Sequence, residues 1–135
     1  MKVQLENVKP MDIEKRSFEI ITEELGDKKL APGTELVVKR CIHTSADFDY
    51  ADNLCFSPEV VEKAMAAIKD GACIVTDTQM AKSGINKRAL ARYGGEVYCF
   101  MSDEDVAEVA KKNGTTRATA SMDTVSYTHL RAHET

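Results

Sequence analysis

Apolar residues recur at helical spacing near the start of the chain. Within residues 11–26 the apolar positions that share one helical face are Ile13, Ile20, Ile21 and Leu25. Phe18 falls at the margin of this face, and the polar Ser17 is either solvated or directed into a site. Gly26 is typical of a helix C-terminus, so the pattern predicts a first helix over residues 11–26.

Residues 36–43 fit two secondary structures. Their β-branched side chains favour a strand, whereas the pairs Val38/Ile42 and Val37/Cys41 have the four-residue spacing of helical contacts. We favour the helix. Residues 51–56 are expected to form a strand, after which Ser57 is the expected N-cap of a helix with Pro58 at its first position.

Helices and strands alternate in the rest of the chain. Helical patterns cover residues 60–71, a short segment opened by residues 83–86, residues 103–113 with Ser102 as N-cap, and a last helix from residue 115. Apolar strands are predicted over residues 72–76 and 96–101, and residues 77–80 follow the first of these at the end where α/β sheets bind ligands. This alternation predicts an α/β fold with a parallel sheet and helices on both faces.

Composition narrows the class of protein. The 135 residues suit one domain, and the 43% hydrophobic and 30% charged fractions are those of a globular protein. There is no apolar run long enough for a membrane span and no signal peptide, so we expect a cytoplasmic protein. A net charge of −4 argues against nucleic acid as a partner. The four cysteines are widely spaced without a CxxC pair, which predicts buried reduced thiols and no zinc site.

The last residues differ in character from the rest. Residues 125–135 have no hydrophobic period, and they read as the translation of a transposase sequencing adapter. We therefore expect the domain to comprise residues 1–123 and residues 124–135 to be an adapter artefact. His43 is then the one histidine of the natural sequence.

The run of residues 40–50 is the densest in reactive groups, and His43 is its acid/base candidate because an imidazole exchanges a proton near neutral pH. Thr44, Ser45 and Asp47 are expected to fix its tautomer by hydrogen bonding. Cations close in sequence are expected to form a rim around it: Arg16, Lys39 and Arg40.

Other chemistries have weaker support. A nucleophilic Cys41–His43 pair requires a strand, since the two side chains diverge by about 200° on a helix. The acids after His43 lack the glycine and terminal glutamate of a calcium loop and are better explained as loop residues: Asp47, Asp49 and Asp52. The glycines form no phosphate-binding motif.

Several motifs together resemble the precorrin-8X methylmutase family, also called precorrin isomerase, of cobalamin biosynthesis. They occupy residues 13–21, 40–52, 56–58, 74–80 and 84–85, and the resemblance covers residues 10–122. It implies a flavodoxin-like three-layer α/β fold with a mostly parallel sheet, a homodimer, and a precorrin-8X or cobalt-precorrin-8 substrate. The implied reaction moves a methyl group from C-11 to C-12 to give hydrogenobyrinate or cobyrinate, with no cofactor or metal. The family continues with a further strand and a Gly-Asn-Ala-Pro-Thr-Ala segment that this chain lacks, so we expect a C-terminal truncation.

The resemblance also assigns roles to residues. His43 matches the family histidine that protonates a ring nitrogen as general acid, Ser17 and Arg117 match substrate contacts, and Thr44 and Ser83 are expected near the pocket. The substrate carries many carboxylates, and the cations expected to offset them are Arg16, Lys39, Arg40, Lys82 and Arg117. The alternative is a non-catalytic tetrapyrrole-binding module in which His43 is a metal ligand.

Overall fold

Helices make up most of residues 6–126, the part of the chain that the structure, a computed structural model, describes. The chain divides into two compact units, Met1–Lys63 and Ala64–Thr135. Within the described residues, no helix is both long and apolar enough to cross a membrane.

The first unit is built around two packed helices. A 3₁₀ turn (Pro10–Asp12) leads into α1 (Ile13–Leu25), and α2 (Glu35–Ser45) packs against α1. Ile21, Val38 and Ile42 are buried between them, and the apolar side chains around this cluster are Leu25, Leu30, Phe48, Ala51, Leu54 and Phe56. The predicted first helix and the helical interpretation of residues 36–43 are therefore confirmed.

The segment after α2 contradicts two predictions. Residues 51–56 do not form a strand, because the carboxylate of Asp47 accepts a hydrogen bond from the Asp49 N–H and starts a turn that continues as α3 (Tyr50–Asn53). The next helix, α4, begins at Val60 and runs to Lys69. Ser57 is therefore not its N-cap, and the Val60 N–H instead closes a turn onto the Ser57 carbonyl.

The second unit contains the sheet. Strands β1 (Ile74–Val75) and β2 (Val97–Tyr98) pair in parallel, with Ile74 opposite Val97 and Val75 opposite Tyr98. Two short helices connect them, α5 (Gln79–Gly84) and α6 (Lys87–Ala91). The prediction of an α/β fold with a parallel sheet is confirmed, although both strands are shorter than predicted.

The last two helices pack on one another, α7 (Glu104–Asn113) and α8 (Arg117–Val125). Val106, Ala110 and Ala120 are buried between them. Asp103, with extended backbone, is the N-cap residue of α7. The expectation that Ser102 caps this helix is wrong, because the helix begins one residue later than predicted.

The cysteines only partly follow the prediction of buried thiols. All four are free, but Cys55 and Cys73 are exposed, Cys41 is half-buried, and only Cys99 is buried. The exposed pair occupies irregular segments next to a helix and a strand, and in the segment of Cys55 it is the neighbouring side chains of Leu54 and Phe56 that pack against the core. The adapter origin of residues 124–135 stays a prediction, since α8 continues to Val125 and residues 127–135 lie outside the described part of the chain.

Candidate active site

Packing of α1 on α2 brings Ser17 and His43 together although they lie 26 residues apart in sequence. The Ser17 Oγ and the His43 Nδ1 are 2.7 Å apart, and both residues are half-buried. Ile21 follows Ser17 by one helical turn and Ile42 precedes His43 directly, so the buried core of the unit fixes the distance between the two polar side chains. Both residues are site candidates from the sequence, and the fold places them in contact.

This pair lies in the wall of a cavity of about 480 Å³ within the first unit. The apolar residues of the lining are Val8, Ile13, Ile20, Ile21, Ile42 and Phe48. Glu6, Arg16 and Glu24 contribute its charged groups. The cavity is therefore largely apolar with one imidazole–hydroxyl pair, an arrangement typical of small-molecule sites.

Ala46 also lines the cavity and has a left-handed backbone. Its φ is 56° and its ψ is 21°, and its N–H donates to the Ile42 carbonyl at 2.7 Å. This conformation ends α2 and is one that residues other than glycine adopt at a cost. The strained residue thus closes the helix that carries His43, next to the cavity.

Of the cations expected around the site, Arg16 is the one that lines this cavity in the described part of the chain. Its guanidinium donates to Glu6 at 2.9 Å and to Glu19 at 3.4 Å. The hydrogen bond and the charge of Glu6 raise the pKa of Arg16 above its ordinary value. Much of its charge is therefore balanced by the protein's own carboxylates.

Arg40 forms a different contact. Its Nη2 donates to Glu14 at 2.7 Å, and the guanidinium carbon lies 4.9 Å from the centroid of the Phe18 ring. The hydrogen bond and charge of Arg40 lower the pKa of Glu14, and Glu14 in turn raises the pKa of Arg40. The Phe18 ring is also near the imidazole, with 5.6 Å between its centroid and that of His43.

The expectation that Thr44, Ser45 and Asp47 orient the imidazole is wrong. Thr44 donates its hydroxyl to the Arg40 carbonyl at 3.2 Å, and Ser45 donates to the Cys41 carbonyl at 2.7 Å. A helix offers such carbonyls to hydroxyls four residues further on, so both hydroxyls donate within α2, and the Ser45 oxygen also accepts from the Asp47 N–H at 3.1 Å. Ser17, from the other helix, is the hydrogen-bond partner of His43.

Ser83 and Arg117 belong to the second unit. Ser83 is exposed near the end of α5, and Arg117 is the exposed first residue of α8, directly after the N-cap Thr116. Thr44, in the first unit, is exposed on α2 and does not line the cavity. The substrate-contact roles of these three residues stay predictions, and so does that of Ser17, whose side-chain contact in the structure is with His43.

Sequence reasoning did not single out Glu14 or assign a role to Phe18. Both belong to a helical stripe on α1, in which Glu14, Ser17, Phe18 and Ile21 follow the spacing of one helix face. Because Ile21 is buried against α2, the three residues before it on that stripe also face α2. The same spacing that predicted the helix could therefore have indicated these neighbours of His43.

The Ser17–His43 pair suits proton transfer. A hydroxyl donates to Nδ1 of a neutral imidazole and accepts from the N–H of a protonated one, so Ser17 satisfies His43 in both states. The other nitrogen, Nε2, has no hydrogen-bond partner within residues 6–126 and can meet a ligand. Among residues 6–126, no group of three or more His, Cys, Asp or Glu side chains could hold a metal ion.

Comparison with known proteins identifies relatives over most of the chain. A model of the precorrin-8X methylmutase family matches residues 12–132. The cobalt-precorrin-8 methylmutase of Priestia megaterium is 43% identical over 115 residues, which cover 85% of this chain and 51% of that protein. That of Leptospira interrogans is 45% identical over 111 residues, covering 82% of this chain and 50% of the relative.

Solved structures agree. Precorrin-8X methylmutase from Thermus thermophilus superposes with a TM-score of 0.73 at 34% identity, covering 87% of this chain and 56% of that one. A precorrin-8X methylmutase related protein also has a TM-score of 0.73, at 26% identity, with coverage of 84% and 59%. The chain spans about half the length of the curated relatives it matches. Sequence and fold together show that it belongs to the precorrin-8X methylmutase family.

Proposed function

We propose that this chain acts in cobalamin biosynthesis as an isomerase of precorrin-8X or cobalt-precorrin-8. The reaction is the intramolecular migration of a methyl group from C-11 to C-12, with hydrogenobyrinate or cobyrinate as product. The observation that carries the proposal is the Ser17–His43 pair, 2.7 Å apart in the wall of a largely apolar cavity, in a chain of this family.

His43 is the general acid in this proposal. Protonation of a ring nitrogen by the imidazole draws electron density from the conjugated macrocycle and favours migration of the methyl group. The hydroxyl of Ser17 accepts from Nδ1 while the imidazole is charged and donates to it afterwards, so the pair remains hydrogen-bonded through the transfer. Because the migration is intramolecular and the macrocycle carries the electrons, we propose that no cofactor takes part.

The cavity walls suit one edge of a macrocycle. Its apolar residues supply the contact area, and Arg16 offers the cation for a peripheral carboxylate if Glu6 releases it. We further propose that Ser83, Arg117 and Thr44 contact the substrate, and that the protein works as a cytoplasmic homodimer.

Substitution of the imidazole tests the proposal. His43→Ala and His43→Gln variants are mixed with precorrin-8X, and conversion to hydrogenobyrinate is followed by absorbance, with the precorrin-8X methylmutase of Thermus thermophilus as the reference for complete turnover. We expect wild-type binding, seen as a shift of the tetrapyrrole absorbance, together with at least about a hundredfold loss of turnover in both variants.

The same measurements distinguish the isomerase from the alternative function, a non-catalytic tetrapyrrole-binding module. Turnover that survives in His43→Ala removes the imidazole from the mechanism. In the alternative, the wild-type chain binds cobalt-precorrin-8 without converting it. A cobalt–imidazole absorbance band that is present in this complex and absent in His43→Ala would then identify a binding module with His43 as metal ligand.

A further inference from the structure

A hydrogen bond at Nδ1 alone does not fix the orientation of the His43 imidazole. The torsion that turns a histidine ring about its Cβ–Cγ bond is broad, so an imidazole held at one atom keeps rotational freedom. A proton donor, however, must direct its other nitrogen at one substrate atom within hydrogen-bond distance. The structure therefore has to supply a second contact to the ring of His43.

Phe18 supplies that contact. Its ring centroid lies 5.6 Å from that of His43 with 38° between the planes, within the range of favourable aromatic pairs. Ser17 and Phe18 are consecutive on α1, so one helix presents both the hydroxyl and the ring to the imidazole. Phe18 is only half-buried, and burial alone does not hold its ring in place.

Arg40 anchors the Phe18 ring. Its guanidinium carbon is 4.9 Å from the ring centroid, within the distance of a cation–π contact. The guanidinium is itself held by Glu14, whose oxygen accepts at 2.7 Å. Glu14 and Phe18 are one turn apart on α1, and Arg40 and His43 are one turn apart on α2, so the four side chains form one layer across the two helices.

The Glu14–Arg40 ion pair contributes little to the free energy of unfolding. The two side chains are 61% and 52% exposed, and exposed ion pairs contribute little to folding. Lys28 and Asp52 form a comparable exposed pair at 2.5 Å in the same unit, and among the described residues no hydrogen bond, ion pair or ring contact joins them to His43. What distinguishes Arg40 is its place over the ring that touches the imidazole.

We infer that Arg40 and Glu14 are positioning residues, which fix the orientation of His43 through the Phe18 ring. This inference rests on the proposed role of His43 as general acid. Arg40 is thereby assigned to orienting the imidazole, and the carboxylates of the substrate are left to other cations.

The experiment compares Arg40→Met, Arg40→Lys and, as matched control, Lys28→Met. In the 135-residue chain, nuclear Overhauser contacts between the Phe18 ring and the His43 imidazole are measured by NMR. We expect Arg40→Met to weaken them, Arg40→Lys to restore them because it keeps the cation over the ring, and Lys28→Met to leave them unchanged. Unchanged contacts in Arg40→Met overturn the inference whether or not the chain turns over substrate.

Kinetics provide the second readout. We expect Arg40→Met to lower kcat by about fivefold with KM unchanged, because the variant loses one exposed cation–π contact. Arg40→Lys should recover most of the lost kcat. An equal loss in Lys28→Met, or a rise in KM alone, also overturns the inference. If His43→Ala keeps its turnover, the proposed function has failed; if His43→Ala is inactive and Arg40→Met equals wild type, only the positioning role has failed.

Discussion

Ser17→Ala removes one hydroxyl from the candidate site and leaves the rest of α1 unchanged. The bond it deletes spans 2.7 Å between half-buried groups. A hydrogen bond to a charged group contributes about 1.5–3 kcal/mol, and a neutral one about 0.5–1.5 kcal/mol. Water can enter the 480 Å³ cavity and replace part of the interaction, so the lower end of the charged range applies.

A loss of about 1.5 kcal/mol from the transition state corresponds to roughly a tenfold decrease in kcat. KM should change little, because in this proposal Ser17 acts on the imidazole. The free energy of unfolding should fall by less than about 1 kcal/mol, since alanine has a high helix propensity and offsets part of the lost bond.

Two assays measure this. Conversion of precorrin-8X is followed by absorbance in Ser17→Ala and in the matched control Ser45→Ala, whose hydroxyl bonds to the Cys41 carbonyl within α2. The ¹⁵N chemical shifts of the His43 ring report which nitrogen carries the proton. A wild-type kcat and unchanged ring shifts in Ser17→Ala, or an equal decrease in Ser45→Ala, would refute the role assigned to Ser17.

Two further predictions concern stability and charge. Ile42→Ala should lower the free energy of unfolding by about 2–4 kcal/mol in urea titrations, because Ile42 is 1% exposed. Val37 is 38% exposed, so Val37→Ala should lower it by less than about 1 kcal/mol. Equal losses in the two variants would contradict the core described for the first unit. The pKa of Glu14, measured by ¹³C NMR, should lie below the ordinary value of about 4.3 and return towards it in Arg40→Met. A carboxyl group whose pKa is lower in the folded state stabilises that state at pH values above its unfolded pKa. The contribution of Glu14 to stability should therefore be present at neutral pH and lost as the pH falls through its folded pKa. An ordinary pKa of Glu14 in the wild type would contradict the ion pair.

Local patterns predicted the helices well because their signal is local. The four-residue pairs Val38/Ile42 and Val37/Cys41 outweighed the strand preference of β-branched residues, and α2 is a helix. Residues 51–56 were wrongly predicted as a strand, since a hydrogen bond between the Asp47 side chain and the next turn decided their backbone.

Two of the candidate site residues meet in the fold, but the geometry of their contact was not predictable. Ser17 and His43 were both candidates, yet their contact depends on how α1 packs against α2, which no local pattern contains. Residues adjacent to His43 were expected to orient it, but in α2 the hydroxyls of Thr44 and Ser45 donate hydrogen bonds to backbone carbonyls of the same helix. The partner of a helical side chain usually comes from the facing helix, and facing positions 26 residues apart become visible only in the fold.

The two exposed cysteines provide natural attachment points for fluorescent dyes. Cys55 lies in the first unit and Cys73 in the second, while the thiol of Cys99 is buried. Maleimide labelling should therefore reach Cys55 and Cys73 first, without any engineered cysteine. A donor and acceptor on this pair would report the distance between the two units by energy transfer.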